Sequence, residues 1–240
     1  MPKIPQYVLD CVFFLYRSED DARHSRNPQG TGFLVSMPST AIPGIACPPH
    51  LYAVSNWHVV INNPVIRIRT AFGDIVKDLD PAVDWLFVPG GHPHQGDDAA
   101  IAVIDLDDNQ NVMSIPLHMF ITQSMMARHQ IGVGDDVFMM GLFADVAASM
   151  AHPAKARFGN ISMMASSHIP IAQPNHTATK SSYVLDMHSR SGFSGSPVFF
   201  YRTIGADLTY ANTLEMRLNE PSLKNSHPRT STVEDSGLKV

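Results

Sequence analysis

The sequence predicts an all-β chain folded as two small antiparallel β-barrels packed against each other, and three observations predict it. Short apolar segments bounded by Gly, Pro, Asn and Asp recur along most of the 240 residues, the spacing of sandwiches and barrels. Val65-Ile66-Arg67-Ile68-Arg69 alternates cleanly, as a strand with one wet face does. The pattern breaks once, from Asp105 to Gln130, where Asp107-Asp108-Asn109-Gln110 leads into a stretch rich in Met and His. Two groups of about six strands joined by such a linker suggest two small β-barrels packed against each other.

Taken in order, the expected strands are Tyr7–Tyr16, Gly32–Ser36, Leu51–Ser55, Val65–Thr70, Trp85–Val88 and Ala99–Ile104, then Asp136–Phe143, Lys155–Met164, Ser182–Met187 and Val198–Tyr201, with a weaker one near Leu214–Leu218. Residues 1–108 are thus expected to form a first barrel, 109–130 a linker and 131–218 a second barrel. Residues 219–240, with Pro221, Pro228 and many Ser and Thr, read as a disordered tail. Paired methionines such as Met125-Met126, Met139-Met140 and Met163-Met164 lie mostly in apolar segments, where Met fills gaps in a core.

Composition excludes some functions. A hydrophobic content of 44% supplies a sizeable core, and a formal charge of −5 lacks the basic excess of a nucleic-acid binder. No apolar run reaches the ~20 residues of a membrane-spanning helix, so neither nucleic acid nor membrane is an expected partner. The N-terminus shows no basic region leading into a long apolar run, and Tyr7 to Tyr16 is interrupted by Asp10; it reads as a strand, not a signal peptide. Cys11 and Cys47 are the two cysteines. So few fit a reducing compartment better than a disulfide-stabilised secreted fold, and the expected location is the cytoplasm, with a Cys11–Cys47 bridge the lesser reading.

The stretch with chemistry in it is Ser191-Gly192-Phe193-Ser194-Gly195-Ser196-Pro197. A serine hydroxyl is a weak nucleophile until a base takes its proton, and the oxyanion formed on attack needs N–H donors already in place. Gly192 and Gly195 permit the tight turn that exposes such donors. Gly, Ser and Pro are equally the residues of an ordinary β-turn, and alone the stretch reads either way. His58 follows a strand in Ser55-Asn56-Trp57-His58-Val59; by itself a histidine there reads more readily as structural. Asp97 and Asp98 precede the apolar run Ala99-Ala100-Ile101-Ala102-Val103-Ile104, where a carboxylate is either a solvated turn residue or a partly desolvated partner for an imidazolium.

Together, Gly30-Thr31-Gly32-Phe33-Leu34-Val35, Ser55-Asn56-Trp57-His58-Val59, Asp98-Ala99-Ala100-Ile101-Ala102-Val103 and Gly192-Phe193-Ser194-Gly195-Ser196-Pro197 resemble the four landmark blocks of trypsin-like serine peptidases. They stand in that family's order of His, Asp, Ser. The poverty in cysteine and the Ser-Asn-x-His block are most similar to HtrA-like bacterial peptidase domains, without a PDZ domain. Val133–Gly141 and Arg157–Ser162 add two further blocks, and the resemblance spans about residues 7 to 202. It implies the two-barrel trypsin-like fold and a serine endopeptidase acting on a polypeptide substrate without cofactor or metal. His58 would be the general base, Asp98 its orienting partner and Ser194 the nucleophile, with the backbone N–H groups of Gly192 and Ser194 as the oxyanion hole. Asp98 is preferred over Asp97 because it has the phase of the family's Asp-x-Ala-x-x-Val pattern. His188, six positions before Ser194, would lie near the floor of the substrate pocket.

Two departures qualify the resemblance. Phe193 stands where trypsin-like enzymes usually carry Asp and HtrA-like ones often Asn, and phenylalanine cannot pair with a freed N-terminus. Either its ring packs the oxyanion loop open or the resting loop is collapsed. The family's following strand of the Gly-Ile-x-Ser/Trp-Gly type has no clear match after Tyr201, so the second barrel is expected to be incomplete unless Thr209–Leu218 substitutes for that strand. These departures motivate an alternative, a catalytically impaired trypsin-fold protein acting as a peptide- or protein-binding module. An α/β-hydrolase is set aside because Ser196 breaks its Gly-x-Ser-x-Gly elbow. His92-Pro93-His94 lacks the accompanying ligands of a metal site. Oligomeric state is left open by the sequence.

Overall fold

A computed structural model describes residues 4–39, 48–87, 98–106, 111–142, 154–172, 179–187 and 192–202. The run up to Arg202 belongs to one compact unit. The expected strand near Leu214–Leu218, the possible substitute Thr209–Leu218 and the 219–240 tail lie outside the described residues, as do His188, Asp97, Cys47, His92 and His94.

The first expected strand divides in two. Gln6–Leu9 is a single helical turn, α1, and only Val12–Tyr16 is strand, β1. Pro5 enters the turn with φ −63° and Asp10 closes it, its N–H donating to Gln6 O. The Gln6 side chain reaches Asp10 four residues on, the spacing at which helical neighbours meet. A second helix unforeseen in the sequence, α2 (Glu19–Arg23), is capped by Ser18 and carries three acids in its first turn, where they face the positive end of the helix dipole.

The larger sheet comprises β1, β2 (Gly30–Met37), β3 (His50–Ser55), β4 (Val65–Thr70), β5 (Gly73–Asp78), β6 (Trp85–Phe87) and β7 (Ala100–Ile104). Its order is β5-β4-β1-β2-β3-β7-β6, every pair antiparallel. The one-turn helix α3 (Trp57–Val60) follows β3. In β4 the expected alternation holds only from Ile66 on: Ile66 and Ile68 are buried in the larger core, but Val65 on the opposite face is buried too, in a cluster with Phe14 and Tyr16, so that face is not wet throughout. Arg67 and Arg69 take the other face, and pair with Asp74 and Asp10. Along β7, Ala100, Ala102 and Ile104 are buried while Ile101 and Val103 are exposed, the period of two that a half-covered strand requires.

Within 109–130 lie β8 (Ile115–Pro116), a 3₁₀ turn at Leu117–Met119 and α4 (Gln123–Arg128); β8 runs parallel to β2, Ile115 opposite Val35. The second sheet contains β9 (Asp136–Gly141) and β10 (Lys155–Met163). After a two-stranded ribbon of β11 (Ile171–Ala172) and β12 (Thr179–Lys180) come β13 (Val184–Asp186) and β14 (Val198–Phe200). The sheet order is β13-β10-β9-β14. The fold is all-β as expected, with the second barrel incomplete: among the described residues it is an open four-stranded sheet.

β1 explains how the halves join. All five of its residues are buried. Phe13 and Leu15 enter the core of the larger sheet with Leu34, Ala53, Ile66 and Trp85. Val12 packs with Ile115, Phe138 and Met140, while Phe14 and Tyr16 pack with Val65 and Leu142. A strand covered on both faces needs an unbroken apolar run, and VFFLY supplies it.

Candidate active site

His58 is placed by the end of β3. Asn56, with extended backbone, opens α3 at the N-cap position but its side chain makes no cap bond; it donates instead to the backbone oxygen of Asp98, at 2.6 Å. Buried Val59 and Val60 hold the short helix down. Asp98 stands two residues before β7, which pairs with β3 so that Ala100 lies opposite Ser55. That register carries Asp98 alongside the first turn of α3. Its Oδ1 accepts the His58 backbone N–H at 3.0 Å and its Oδ2 lies 2.5 Å from His58 Nδ1. The pair is half open to solvent, the side chains 49% and 27% exposed. One carboxylate thus fixes both the backbone and the ring of His58, leaving Nε2 as the nitrogen available to exchange a proton.

Ser194 is held from the other sheet. Pro197 O accepts the Met140 N–H at 3.2 Å, and β14 then pairs with β9. Gly192 and Gly195 have φ of +97° and +86°, a region ordinary residues avoid. At Gly195 a β-carbon would collide with Thr31 O and Ser55 Oγ, so glycine is required there twice over. Ser194 itself is exposed. Among the described residues, neither its N–H nor that of Gly192 donates to a protein acceptor, so both remain available to an oxyanion.

Thr31 is the brace between the halves. It is fully buried; its N–H donates to Ser194 O at 3.0 Å and its hydroxyl to Gly192 O at 2.7 Å. The same hydroxyl accepts the Leu142 N–H at 2.9 Å, and Thr31 O accepts from Ser55 Oγ at 2.7 Å. Every polar group of Thr31 is therefore committed to the Ser194 loop or its surroundings. Thr31→Val keeps the shape but strands Gly192 O and Leu142 N. It is expected to cost about 2–4 kcal/mol, read as a fall in the urea midpoint at unchanged slope; a loss under about 0.5 kcal/mol would remove Thr31 from this role.

Phe193, the residue that departs from the resemblance, is 3% exposed. It packs so closely against Gly141 that a β-carbon there would crowd its Cδ1, and the Arg157 guanidinium stands 5.9 Å from its ring centre. Of the two expectations for the loop, ring packing matches this arrangement. Cys11 is a free, buried thiol, and burial pushes its pKa up to about 12.

The two sides meet at a cleft of about 330 Å³ lined by Arg17, Gln29, His58, Val59, Asn62, Asn63 and Ser194. No hydrogen bond joins Ser194 to His58 among the described residues. Of the residues singled out in the sequence, His58, Asp98, Gly192 and Ser194 are described and His188 is not. Thr31, Asn56 and Ser55 lie within quoted blocks but their roles appear only in three dimensions. Arg17 and Asn63 carried no sequence signal. Among the described residues no cluster of His, Cys, Asp or Glu is arranged to hold a metal, and no helix is long and apolar enough to cross a membrane.

No family model matches the chain, and no curated protein sequence does. Solved structures do. The HtrA-type protease AlgW with a tripeptide overlaps with 17% identity and a TM-score of 0.44, covering 82% of this chain and 51% of AlgW. The Rv3671c protease in its inactive form overlaps with 17% identity and a TM-score of 0.45, covering 81% of this chain and 74% of the other. The chain thus spans about half the length of AlgW.

Proposed function

We propose that the protein is a serine endopeptidase of the trypsin-like type, hydrolysing polypeptides in a reducing compartment, the cytoplasm. The observation that carries this reading is the His58–Asp98 pair opening onto the same cleft as Ser194, on a loop that leaves two N–H groups free.

His58 Nε2 takes the Ser194 hydroxyl proton as Oγ attacks the scissile carbonyl carbon. The carbonyl π electrons move to oxygen, which the Gly192 and Ser194 N–H groups stabilise. Asp98 accepts from Nδ1–H and steadies the imidazolium without taking its proton. The imidazolium then protonates the leaving amine, the C–N bond breaks, and an ester to Ser194 remains. Water, deprotonated by the neutral imidazole, hydrolyses that ester by the reverse roles. Neither a cofactor nor a metal is required by these steps.

A fluorophosphonate probe tests the reading. Ser194 is expected to be labelled in the intact protein, and labelling to be lost in Ser194→Ala and reduced at least 10³-fold in His58→Ala. Folded protein that takes up no probe would refute it. The missing Ser194–His58 hydrogen bond favours a second reading, a catalytically impaired peptide-binding module, although such bonds are often long before substrate arrives. The same experiment separates the two.

A further inference from the structure

We infer that the cleft beside His58 receives the leaving half of a peptide and that Arg17 selects a carboxylate there, either an Asp or Glu side chain or the free C-terminus. The assignment of that half rests on the serine peptidase reading. The imidazole that takes the serine proton must hand it to the leaving amine, so the chain beyond the scissile bond lies on the His58 side of Ser194. The cleft on that side is walled by Val59, Asn62 and Asn63, which run on from His58, and by Arg17 and Gln29.

Two of these residues have unspent hydrogen-bonding capacity. Arg17 is exposed and makes no hydrogen bond or ion pair with any described residue. The acids that follow it in sequence are engaged elsewhere: Glu19 with Arg23, Asp20 with Arg26 and His24, Asp21 with the Ser18 hydroxyl. Asn63 is 6% exposed. Its amide donates to Val59 O at 2.7 Å, yet its Oδ1 is buried without a partner. That oxygen is closed to solvent, so the group on this cleft free to meet a ligand is the exposed Arg17 guanidinium, a planar, paired-donor match for a carboxylate. Anionic recognition is therefore expected within a few residues of the cut, on its C-terminal side.

The test uses the full chain and a library of peptides from a digested proteome. Cleavage by the intact protein should show about fivefold enrichment of Asp, Glu or the C-terminus in the first three positions after the cut, the selectivity one solvent-exposed ion pair provides. Amidating the library's C-termini tells side chains from terminus. Arg17→Glu should reverse the preference toward Lys and Arg, while Arg128→Glu, outside the cleft, leaves it as it was. A profile indifferent to Arg17 overturns the inference even if cleavage is brisk. If Ser194 is never labelled and nothing is cut, retention of the same library on immobilised Ser194→Ala protein decides: acidic peptides held about fivefold better, and released by adding Arg17→Glu, support the site and refute only the enzyme. Retention blind to charge overturns the site.

Discussion

Asp98→Asn is expected to lower turnover, or the rate of fluorophosphonate labelling, by about 10⁴-fold while leaving the melting temperature nearly unchanged. The size of the effect follows from which atoms face each other. Asp98 offers two acceptors, one to the His58 backbone N–H and one to Nδ1. An asparagine keeps one oxygen but turns an NH₂ toward one of those partners. If the oxygen stays with the backbone, Nδ1 must become an acceptor, the proton moves to Nε2, and the ring can no longer accept from Ser194. The backbone anchor and buried Val59 and Val60 survive, which is why stability should hardly move. A loss of less than tenfold, in a variant shown to be folded, would mean that Asp98 does not set the tautomer of His58.

Phe193→Ala is expected to remove about 3–5 kcal/mol of stability, a fall in Tm of roughly 10 °C, and to slow labelling of Ser194 beyond what the stability loss explains. The ring fills the space between Gly141 and the Arg157 guanidinium, and it is tethered directly to both Gly192 and Ser194. Removing it leaves a void beside the loop that carries the Gly192 and Ser194 N–H groups, the proposed oxyanion donors. Phe193→Leu refills much of that volume and should recover most of the melting temperature and of the labelling rate. If alanine labels as fast as the parent, the loop is held by Thr31 and the glycines alone.

The fold and the site were legible in the sequence to different depths. Strands with a plain period, such as Val65–Thr70 and Ala100–Ile104, showed themselves because burial on one face imposes a period of two. β1 was legible only in part: VFFLY is apolar throughout, and nothing in Gln6-Tyr7-Val8-Leu9 tells a helical turn from strand except Pro5 and Asp10 at its ends. α2 was missed although Ser18 and the acids behind it are an N-terminal capping signature. At the proposed site, His58, Asp98 and Ser194 stand in blocks that retain local sequence order, which is what singled them out in the sequence. Thr31 carries no local sign of its role, since its partners Gly192 and Leu142 are more than a hundred residues away. Arg17 and Asn63 matter only because β1 and α3 end on the same cleft, a fact of register and packing that no local pattern records.

Thr31 also has a meaning beyond its bonds. It sits on β2, next to the strand whose alternate side chains belong to two cores, and its one hydroxyl speaks to both Gly192 and Leu142. With Ser55 donating to its carbonyl, it ties the end of β3, which leads to His58, to the loop that carries Ser194. A change at Thr31 is therefore expected to reach the loop that carries Ser194 and, through Ser55, the end of β3 that leads to His58.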